Sequence, residues 1–278
     1  MSEIGIVGLG LIGGSLALDL KALGYHVTGV SRKPRTCEIA LEKGMVDRSG
    51  VSLDLLSGAE IIFICTPMSL ILPTIGDLIP HIEPGTIITD VGSVKGAIVS
   101  QATELWPHFV GGHPMAGTSE QGINAAQRDL FKNAPYVITP LPHTSMTGVE
   151  KLSKIVEQLG CRLYQCSPEA HDRAVALISH LPVVLGANLI DVCMAAQESE
   201  LAQNLASSGF RDTSRVGGGN PELGTMMARY NRSALLQSLR DYQDNLTRLM
   251  GYIESENWEG LEAILQYTQK SRALFIKP

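Results

Sequence analysis

The sequence predicts an α/β N-terminal domain, built on a mainly parallel, doubly wound sheet, followed by an all-α C-terminal domain. Two observations lead to this prediction. Over residues 1–166, short apolar runs of strand length alternate with helical patterns, and such alternation is typical of parallel βαβ units. Over residues 167–278, only helical patterns follow. We therefore expect two domains that meet at residues 166 and 167.

The apolar runs of the first domain predict its strands, and the stretches between them predict its helices. In Ile61–Ile64, four consecutive large apolar residues suit a strand that is buried on both faces. The predicted strands are residues 3–7, 25–30, 61–64, 86–89, 109–110, 136–139 and 161–165. The predicted helices are residues 12–23, 35–43, 69–79, 94–104 and 146–159.

The second domain carries helix-start signals and one apolar seam. Ser167-Pro168-Glu169 combines a hydroxyl N-cap, a proline at the first helical position and an acid in the first turn, and Asn220-Pro221-Glu222 repeats this signal after a glycine loop. The apolar seam alternates intervals of four and three: Leu235, Leu239, Tyr242, Leu246, Leu249 and Ile253. The seam suits packing within the domain or a dimer interface. We expect a homodimer through the helical domain.

Composition and charge exclude several classes of protein. A net charge of -6 offers no basic field for nucleic acid or an anionic membrane surface. The five cysteines form no C-x-x-C pair, which favours free thiols in a reducing compartment. The first residues show no basic n-region or cleavable apolar region, so we expect a cytoplasmic location.

One apolar stretch, residues 174–196, is nearly as long as the ~20 residues that span a bilayer. It also carries polar or helix-breaking residues that are costly in lipid: Ser179, His180, Pro182, Asn188 and Asp191. We therefore expect a helix at the centre of the helical domain or of a dimer, and no membrane span.

A glycine motif between the first strand and the first helix predicts a dinucleotide site. In Gly8-x-Gly10-x-x-Gly13 the first glycine permits a tight turn, the second admits a pyrophosphate and the third allows close packing of helix on strand. Leu11 and Ile12 begin the helix whose N–H groups face the phosphates. The first domain is thus expected to be of the Rossmann type.

The end of the second strand predicts which nucleotide binds. An Asp or Glu about 20 residues after the glycines usually binds the ribose hydroxyls of NAD. This chain has Ser31, Arg32 and Lys33 there instead, followed by Arg35. A hydroxyl and up to three cations suit a 2′-phosphate, so we expect NADP.

Three further strand ends carry candidate site residues, because ligands of a parallel sheet bind outside the carboxyl ends of its strands. Thr66-Pro67 and Gly92 are expected beside the cofactor. His113 is expected to accept a hydroxyl proton. Ser93 suits either this site or a helix N-cap.

The helical domain contributes Asp172, His180, Arg211 and Arg215 as candidates for binding substrate. Two arginines four residues apart, beside glycines, suit a clamp on a carboxylate. No group of His, Cys, Asp and Glu has the spacing of metal ligands, so no metal is expected.

Five motifs match one known family: GLGLIGGS (8–15), DVGSVK (90–95), GGHPMAG (111–117), HD…SHLP (171–182) and GFRDTSR (209–215). On these motifs the chain resembles the prephenate/arogenate dehydrogenase family of tyrosine biosynthesis over essentially its whole length. The combination of GGHPMAG with SHLP is the most specific part of the resemblance.

The resemblance implies oxidative decarboxylation of a cyclohexadienyl ring that bears a 4-hydroxyl group, with the C4 hydride passing to nicotinamide. By the same resemblance, His113 binds the ring hydroxyl and accepts its proton, and Ser93 bonds that hydroxyl or orients His113. Arg215 would hold a substrate carboxylate. Arg211 and His180 are further candidates for the same pocket.

One departure from the family bears on the substrate. Many prephenate-preferring members continue S-H-L-P with a histidine, whereas this chain has Val183. That residue is expected one helical turn from His180, facing the pocket, where an apolar side chain disfavours the keto acid of prephenate. Asp172 is expected to meet the ammonium group of arogenate. We therefore expect an NADP-dependent arogenate dehydrogenase, with a prephenate or dual-specificity cyclohexadienyl dehydrogenase as the alternative.

Two alternatives come from other classes of protein. A β-hydroxyacid or pyrroline-carboxylate type oxidoreductase also joins a Rossmann domain to helices, but it would not depend on His113. A non-catalytic NADP sensor would bind the nucleotide and show no turnover.

Overall fold

A computed structural model describes residues 2–118 and 120–276, and within them eight strands form a single sheet. The strands are β1 (Glu3–Val7), β2 (His26–Val30), β3 (Arg48–Gly50), β4 (Ile61–Ile64), β5 (Ile87–Asp90), β6 (Phe109–Pro114), β7 (Pro135–Thr139) and β8 (Arg162–Gln165). Their order is β3-β2-β1-β4-β5-β6-β7-β8. Neighbouring strands are parallel except β6 and β7, which are antiparallel. The predicted fold class is confirmed.

Helices connect the strands and make up the remainder of the described chain. They are α1 (Leu11–Ala22), α2 (Pro34–Glu42), α3 (Met68–Leu78), α4 (Gly96–Leu105), α5 (Met146–Gln158), α6 (Pro168–Val175), α7 (Leu181–Ala195), α8 (Ser199–Leu205), α9 (Ser208–Ser214), α10 (Pro221–Tyr230), α11 (Arg232–Glu254) and α12 (Trp258–Phe275). The change from α/β to helices follows β8, as the sequence predicts. The chain forms two compact units, Met1–Arg232 and Ser233–Pro278, and the domain division at residues 166 and 167 stays a prediction.

The sequence patterns do not predict β3, a strand of three residues at the edge of the sheet. Arg48, Ser49 and Gly50 pair with Thr28–Val30 of β2. These residues form no apolar run and no alternating pattern, so only their pairing with β2 identifies them as a strand.

Two apolar layers cover the two faces of the sheet, as expected for a doubly wound fold. Along β4, Ile61 and Phe63 contact the layer that contains α1 and α5, whereas Ile62 and Ile64 contact the layer that contains α3 and α4. All four side chains are buried. Burial of each contributes roughly 1.5–3 kcal/mol, so the predicted two-sided strand is also a main source of stability.

The parallel strands bring their carboxyl ends to the same edge of the sheet. β1 pairs with β4, β4 with β5, and β5 with β6. The residues that follow these strands, and the last residues of β6, therefore lie along one edge. This edge collects the strand-end residues that the sequence predicts as a site.

A π-helical turn, Ala176–His180, joins α6 to α7. Among the described residues, the helical run Pro168–Ala195 has the length and apolar composition of a membrane span, which a core helix can also have. Its polar residues Asp172 and His180 are buried and hydrogen-bonded inside the protein. By contrast, Leu177 and Val192 are more than half exposed, so part of its apolar surface is uncovered in the single chain.

The glycine loop before α10 has a packing role. A Cβ atom on Gly217 would lie 2.1 Å from the backbone nitrogen of Ala187 and from the carbonyl carbon of Gly186. Only glycine allows this approach to α7 without displacement of backbone. The loop therefore anchors the segment that carries Arg215 against α7.

Candidate active site

The glycine motif forms an open turn between β1 and α1. Gly8 has a φ of +101°, and a Cβ on Gly13 would lie 1.9 Å from the carbonyl oxygen of Gly8. A Cβ on Gly10 would meet no atom within 4 Å, so space remains above the turn. Helix α1 has no side-chain N-cap and no acidic residue in its first turn. Its N–H groups, beginning at Leu11 and Ile12, are therefore available to a phosphate.

The end of β4 carries a polar group that suits a bound ligand. The hydroxyl of Thr66 is buried and has no hydrogen-bond partner within the described residues, a costly arrangement unless a ligand completes it. Thr66 lies beside the glycine turn, since a Cβ on Gly8 would be 3.1 Å from its nitrogen. A groove continues from here to α10, lined by Pro67, Ser69, Pro221, Glu222, Thr225 and Met226. These features fit a dinucleotide.

The basic turn after β2 offers two unpaired cations rather than three. Arg35 donates to Glu38 at 2.9 Å and to Glu42 at 3.2 Å. Arg32 and Lys33 are exposed and form no ion pair with any residue the structure describes. Beside them, the hydroxyl of Ser31 accepts a hydrogen bond from the backbone of Lys33.

A buried ion pair joins the loop after β5 to the strand that carries His113. The ammonium group of Lys95 donates to the carboxylate of Asp90 and, at 2.6 Å, to the carbonyl oxygen of Gly112. The same carboxylate accepts the N–H groups of Gly92 at 2.9 Å and of Gly112 at 3.1 Å. Burial lowers the pKa of Lys95, an effect that the neighbouring carboxylate opposes. Although Asp90 and Lys95 both belong to the DVGSVK motif, no pattern in the sequence predicts that they form a buried ion pair.

His113 lies at the end of β6, where it is buried and neutral. Its Nδ1 is 2.8 Å from Nε2 of His171, whose Nδ1 is 2.8 Å from the carboxylate of Asp172. Burial holds the pKa of His113 well below 6.5, and the positive charge of Lys95 lowers it further, as do His171 and His180 whenever they are protonated. The ring is therefore unprotonated near neutral pH and able to accept a proton.

Asp172 does not have the environment expected of a group that binds a substrate ammonium. Its carboxylate accepts the N–H groups of Lys95 and Gly96, each at 2.8 Å, and contacts His171. A Cβ on Gly96 would lie 2.9 Å from this carboxylate, so glycine permits the contact. We therefore correct the prediction: Asp172 caps α4 and orients His171, because its oxygens already have partners.

The same contacts correct one expectation for Ser93 and leave a second one open. Ser93 is not the N-cap of α4, because the helix begins at Gly96 and Asp172 receives its first N–H groups. Among the described residues the side-chain partner of His113 is His171, at Nδ1, so a role of Ser93 in orienting His113 stays a prediction. Its hydroxyl contacts the sulfur of Met68 at 3.5 Å, a weak interaction that leaves it available to substrate.

His180 lies beside this network in the π-helical turn. The amide nitrogen of Asn231 donates to Nδ1 of His180 at 3.1 Å and to the carbonyl oxygen of Asp172 at 2.8 Å. Burial lowers the pKa of His180, and the charge of Asp172 opposes that shift. The sequence does not predict a role for Asn231, because no local pattern relates it to residues 51 and 59 positions away.

Two family models match nearly the whole chain. The model described as prephenate dehydrogenase, nucleotide-binding domain, matches residues 16–165, and the model described as prephenate dehydrogenase, dimerization domain, matches residues 167–267. The chain belongs to the prephenate dehydrogenase family. It is thus an oxidoreductase of the Rossmann fold that acts in tyrosine biosynthesis.

Individual relatives agree with this assignment. Prephenate dehydrogenase of Bacillus subtilis is 32% identical over 264 residues, which cover 92% of this chain and 71% of that protein. The crystal structure of Synechocystis arogenate dehydrogenase is 54% identical, with a TM-score of 0.92 over 99% of this chain and 100% of that chain. Prephenate dehydrogenase from A. aeolicus, in complex with hydroxyphenyl propionate and NAD+, is 25% identical, with a TM-score of 0.93 over 99% of each chain.

The two arginines are both exposed, and their action as a clamp on a carboxylate stays a prediction. The guanidinium of Arg211 is exposed and bonds the neighbouring Asp212 at 3.1 Å. Arg215 is exposed and makes no ion pair with a described residue, so it is the better candidate to hold a carboxylate.

Val183 packs against the apolar cluster that contains Met227, and its Cγ1 is 3.8 Å from a Cβ built on Gly224. Its apolar character therefore has a packing reason as well. The use of Val183 to choose between substrates stays a prediction.

Proposed function

We propose that this member of the prephenate dehydrogenase family is an NADP-dependent arogenate dehydrogenase. The main support for this reaction is the position of His113, a buried and neutral imidazole. It lies at the same edge of the sheet as the glycine turn that would bind the cofactor. The 54% identity with Synechocystis arogenate dehydrogenase supports arogenate as the substrate. A prephenate or dual-specificity enzyme is the second candidate, because curated relatives carry the name prephenate dehydrogenase.

The proposed reaction needs a group that holds one proton temporarily. NADP, when bound, accepts the hydride from C4 of the ring. His113 takes the proton of the 4-hydroxyl as C4 becomes a carbonyl carbon, and Ser93 bonds the same oxygen. Loss of the ring carboxylate as carbon dioxide leaves its electron pair in the ring, which becomes a phenolate. His113 then returns its proton to this oxygen, so the reaction releases no net proton and His113 is ready for another cycle.

The remaining binding residues have separate tasks. The turn of Gly8–Gly13, with the N-terminus of α1, would bind the pyrophosphate, and Thr66 would donate its unpaired hydroxyl to the cofactor. Arg32 and Lys33 would bind the 2′-phosphate, because neither has an ion-pair partner among the described residues. Arg215 would hold a carboxylate of the substrate.

We also propose that the enzyme is a homodimer. The second family model is described as a dimerization domain, and apolar side chains of α11 are exposed in the single chain. Tyr242, Leu246 and Ile253, which belong to the predicted seam, are 41%, 44% and 53% exposed. A second copy is the occupant that this seam suits.

Sedimentation equilibrium tests the dimer. We expect twice the mass of the chain at micromolar concentration, and we expect Leu246→Asp to shift the population towards monomer because it places a charge in the apolar seam. The exposed Leu105→Asp on α4 is the control and should leave the mass unchanged. A monomeric wild-type chain would contradict the proposal.

Steady-state kinetics test the substrate and the cofactor together. We expect the highest kcat/KM for arogenate with NADP when arogenate and prephenate are each measured against NADP and NAD. A preference for prephenate would keep the family chemistry and reject arogenate, and a preference for NAD would reject the role of the basic turn. No turnover with any pair would favour the nucleotide-sensor alternative.

Replacement of His113 tests the proton acceptor. His113→Ala should lower kcat about 10²–10⁴-fold, the usual contribution of general base catalysis, without change in NADP affinity. The exposed His143→Ala is the control. In the wild type, kcat/KM should stay level as pH falls through 6.5 and decline only below it, because burial lowers the pKa of His113. A decline centred above pH 6.5 would show that another group limits the rate.

Arg32→Ala tests the nucleotide preference. We expect NADP to bind more weakly by about 1–3 kcal/mol, the scale of a lost charged hydrogen bond, with little change for NAD. Arg35→Ala is the matched control, because Arg35 is already paired with Glu38 and Glu42. Titration calorimetry measures the affinities of the wild type, Arg32→Ala and Arg35→Ala for NADP and for NAD. An equal loss for NAD and NADP would place Arg32 away from the 2′-phosphate.

A further inference from the structure

Three side chains, one on β6 and two on α6, form a single hydrogen-bonded line from a carboxylate to the proton acceptor. Asp172 contacts Nδ1 of His171, and Nε2 of His171 contacts Nδ1 of His113, both at 2.8 Å. All three residues are buried. The donors and acceptors along this line decide which nitrogen of His113 carries a proton.

The carboxylate of Asp172 determines which atom donates and which accepts in each hydrogen bond of this line. Its ionised carboxylate only accepts, and it already receives the backbone N–H groups of Lys95 and Gly96. Nδ1 of His171 must therefore donate to it. In a neutral His171 the other nitrogen, Nε2, then carries a lone pair and accepts. The contact with His113 consequently requires a proton on Nδ1 of His113.

We propose that Asp172 and His171 are positioning residues that hold His113 in the tautomer with Nδ1 protonated and Nε2 free to accept the substrate proton. The inference deepens the proposed function and rests on it for its kinetic consequences. The tautomer itself is a property of the protein without substrate, so it can be measured separately.

The line also stabilises His113 after it takes the proton. The imidazolium of His113 donates from Nδ1 to His171, and the negative charge of Asp172 lies at the far end of the line. Such charge-assisted bonds are roughly twice as strong as neutral ones. Other charged or titratable groups act on His113: Lys95, held by Asp90, and His180, held by Asn231. The positive charge of Lys95 opposes protonation of His113, and so does His180 whenever it is protonated, whereas the negative charge of Asp172 favours protonation of His113 during turnover.

Nitrogen NMR tests the tautomer directly. In the chain labelled with ¹⁵N-histidine, without substrate and near pH 7.5, we expect His113 to show a protonated Nδ1 and an unprotonated Nε2. The His113→Ala spectrum assigns the signal. A proton on Nε2 of His113, with Nδ1 unprotonated, would overturn the proposal. Nε2 of His171 would then be donating to His113, because His171 was either cationic or the neutral tautomer protonated at Nε2. This measurement needs no activity, so it decides the proposal even if the proposed function fails.

Two variants of His171 separate positioning from structural support. His171→Gln keeps an oxygen that accepts from Nδ1 of His113 and an amide that donates to Asp172, whereas His171→Leu removes both. We expect His171→Leu to lower kcat at least tenfold, towards the roughly 10⁴-fold that a wrong histidine tautomer costs, with an unchanged Kd for NADP. His171→Gln should retain the wild-type tautomer and recover most of kcat.

The matched pair His143→Gln and His143→Leu, at an exposed histidine, should leave kcat and the His113 signal unchanged. Equal losses in both His171 variants would show that the residue only supports the fold. Wild-type kcat in His171→Leu would show that His113 needs no partner. Either result would overturn the proposal, whereas a wild-type enzyme that turns over neither arogenate nor prephenate would reject the proposed function alone.

Discussion

The buried pair of Asp90 and Lys95 holds together the two strand ends on which the site depends. Both side chains are fully buried, and together they make three hydrogen bonds to backbone groups of Gly92 and Gly112. A buried charge without its partner costs several kcal/mol, so each group requires the other. The pair therefore sets the distance between the loop of Ser93 and the strand of His113, the two groups that we expect to share one substrate oxygen.

The helical part of the first compact unit is tied to this pair through Asp172. The carboxylate of Asp172 bonds the backbone of Lys95 and Gly96, and on its other side it bonds His171. Lys95, in the loop after β5, thus bonds β6 through its side chain and α6 through its backbone N–H group. One consequence is a site with little freedom: His113, His171 and Ser93 are positioned by buried groups rather than by surface loops. Rigid placement of this kind favours proton transfer at a defined distance.

Sequence patterns predicted those parts of the molecule that local chemistry determines. The glycine turn, the strand ends and His113 follow from spacing and residue type, because a tight turn and a buried parallel strand impose their own residues. The role of Asp172 could not be predicted in this way. Its partners Lys95 and Gly96 lie 77 and 76 residues earlier, and a carboxylate beside a histidine in the sequence suits an exposed binding group equally well. The contact of Arg211 with Asp212 is different in kind, because it joins two exposed neighbours in the sequence, and the binding role of Arg211 stays a prediction.

A double-mutant cycle at Asp90 and Lys95 tests the central claim most directly. The free energy of unfolding would be measured by urea denaturation of Lys95→Met, Asp90→Asn and the double variant, each at the same protein concentration. We predict that Lys95→Met costs about 3–5 kcal/mol, because it leaves the carboxylate buried without its counter-charge, and that Asp90→Asn in the same chain restores part of this loss. Strictly additive losses, or a Lys95→Met variant within about 0.5 kcal/mol of the wild type, would contradict the account.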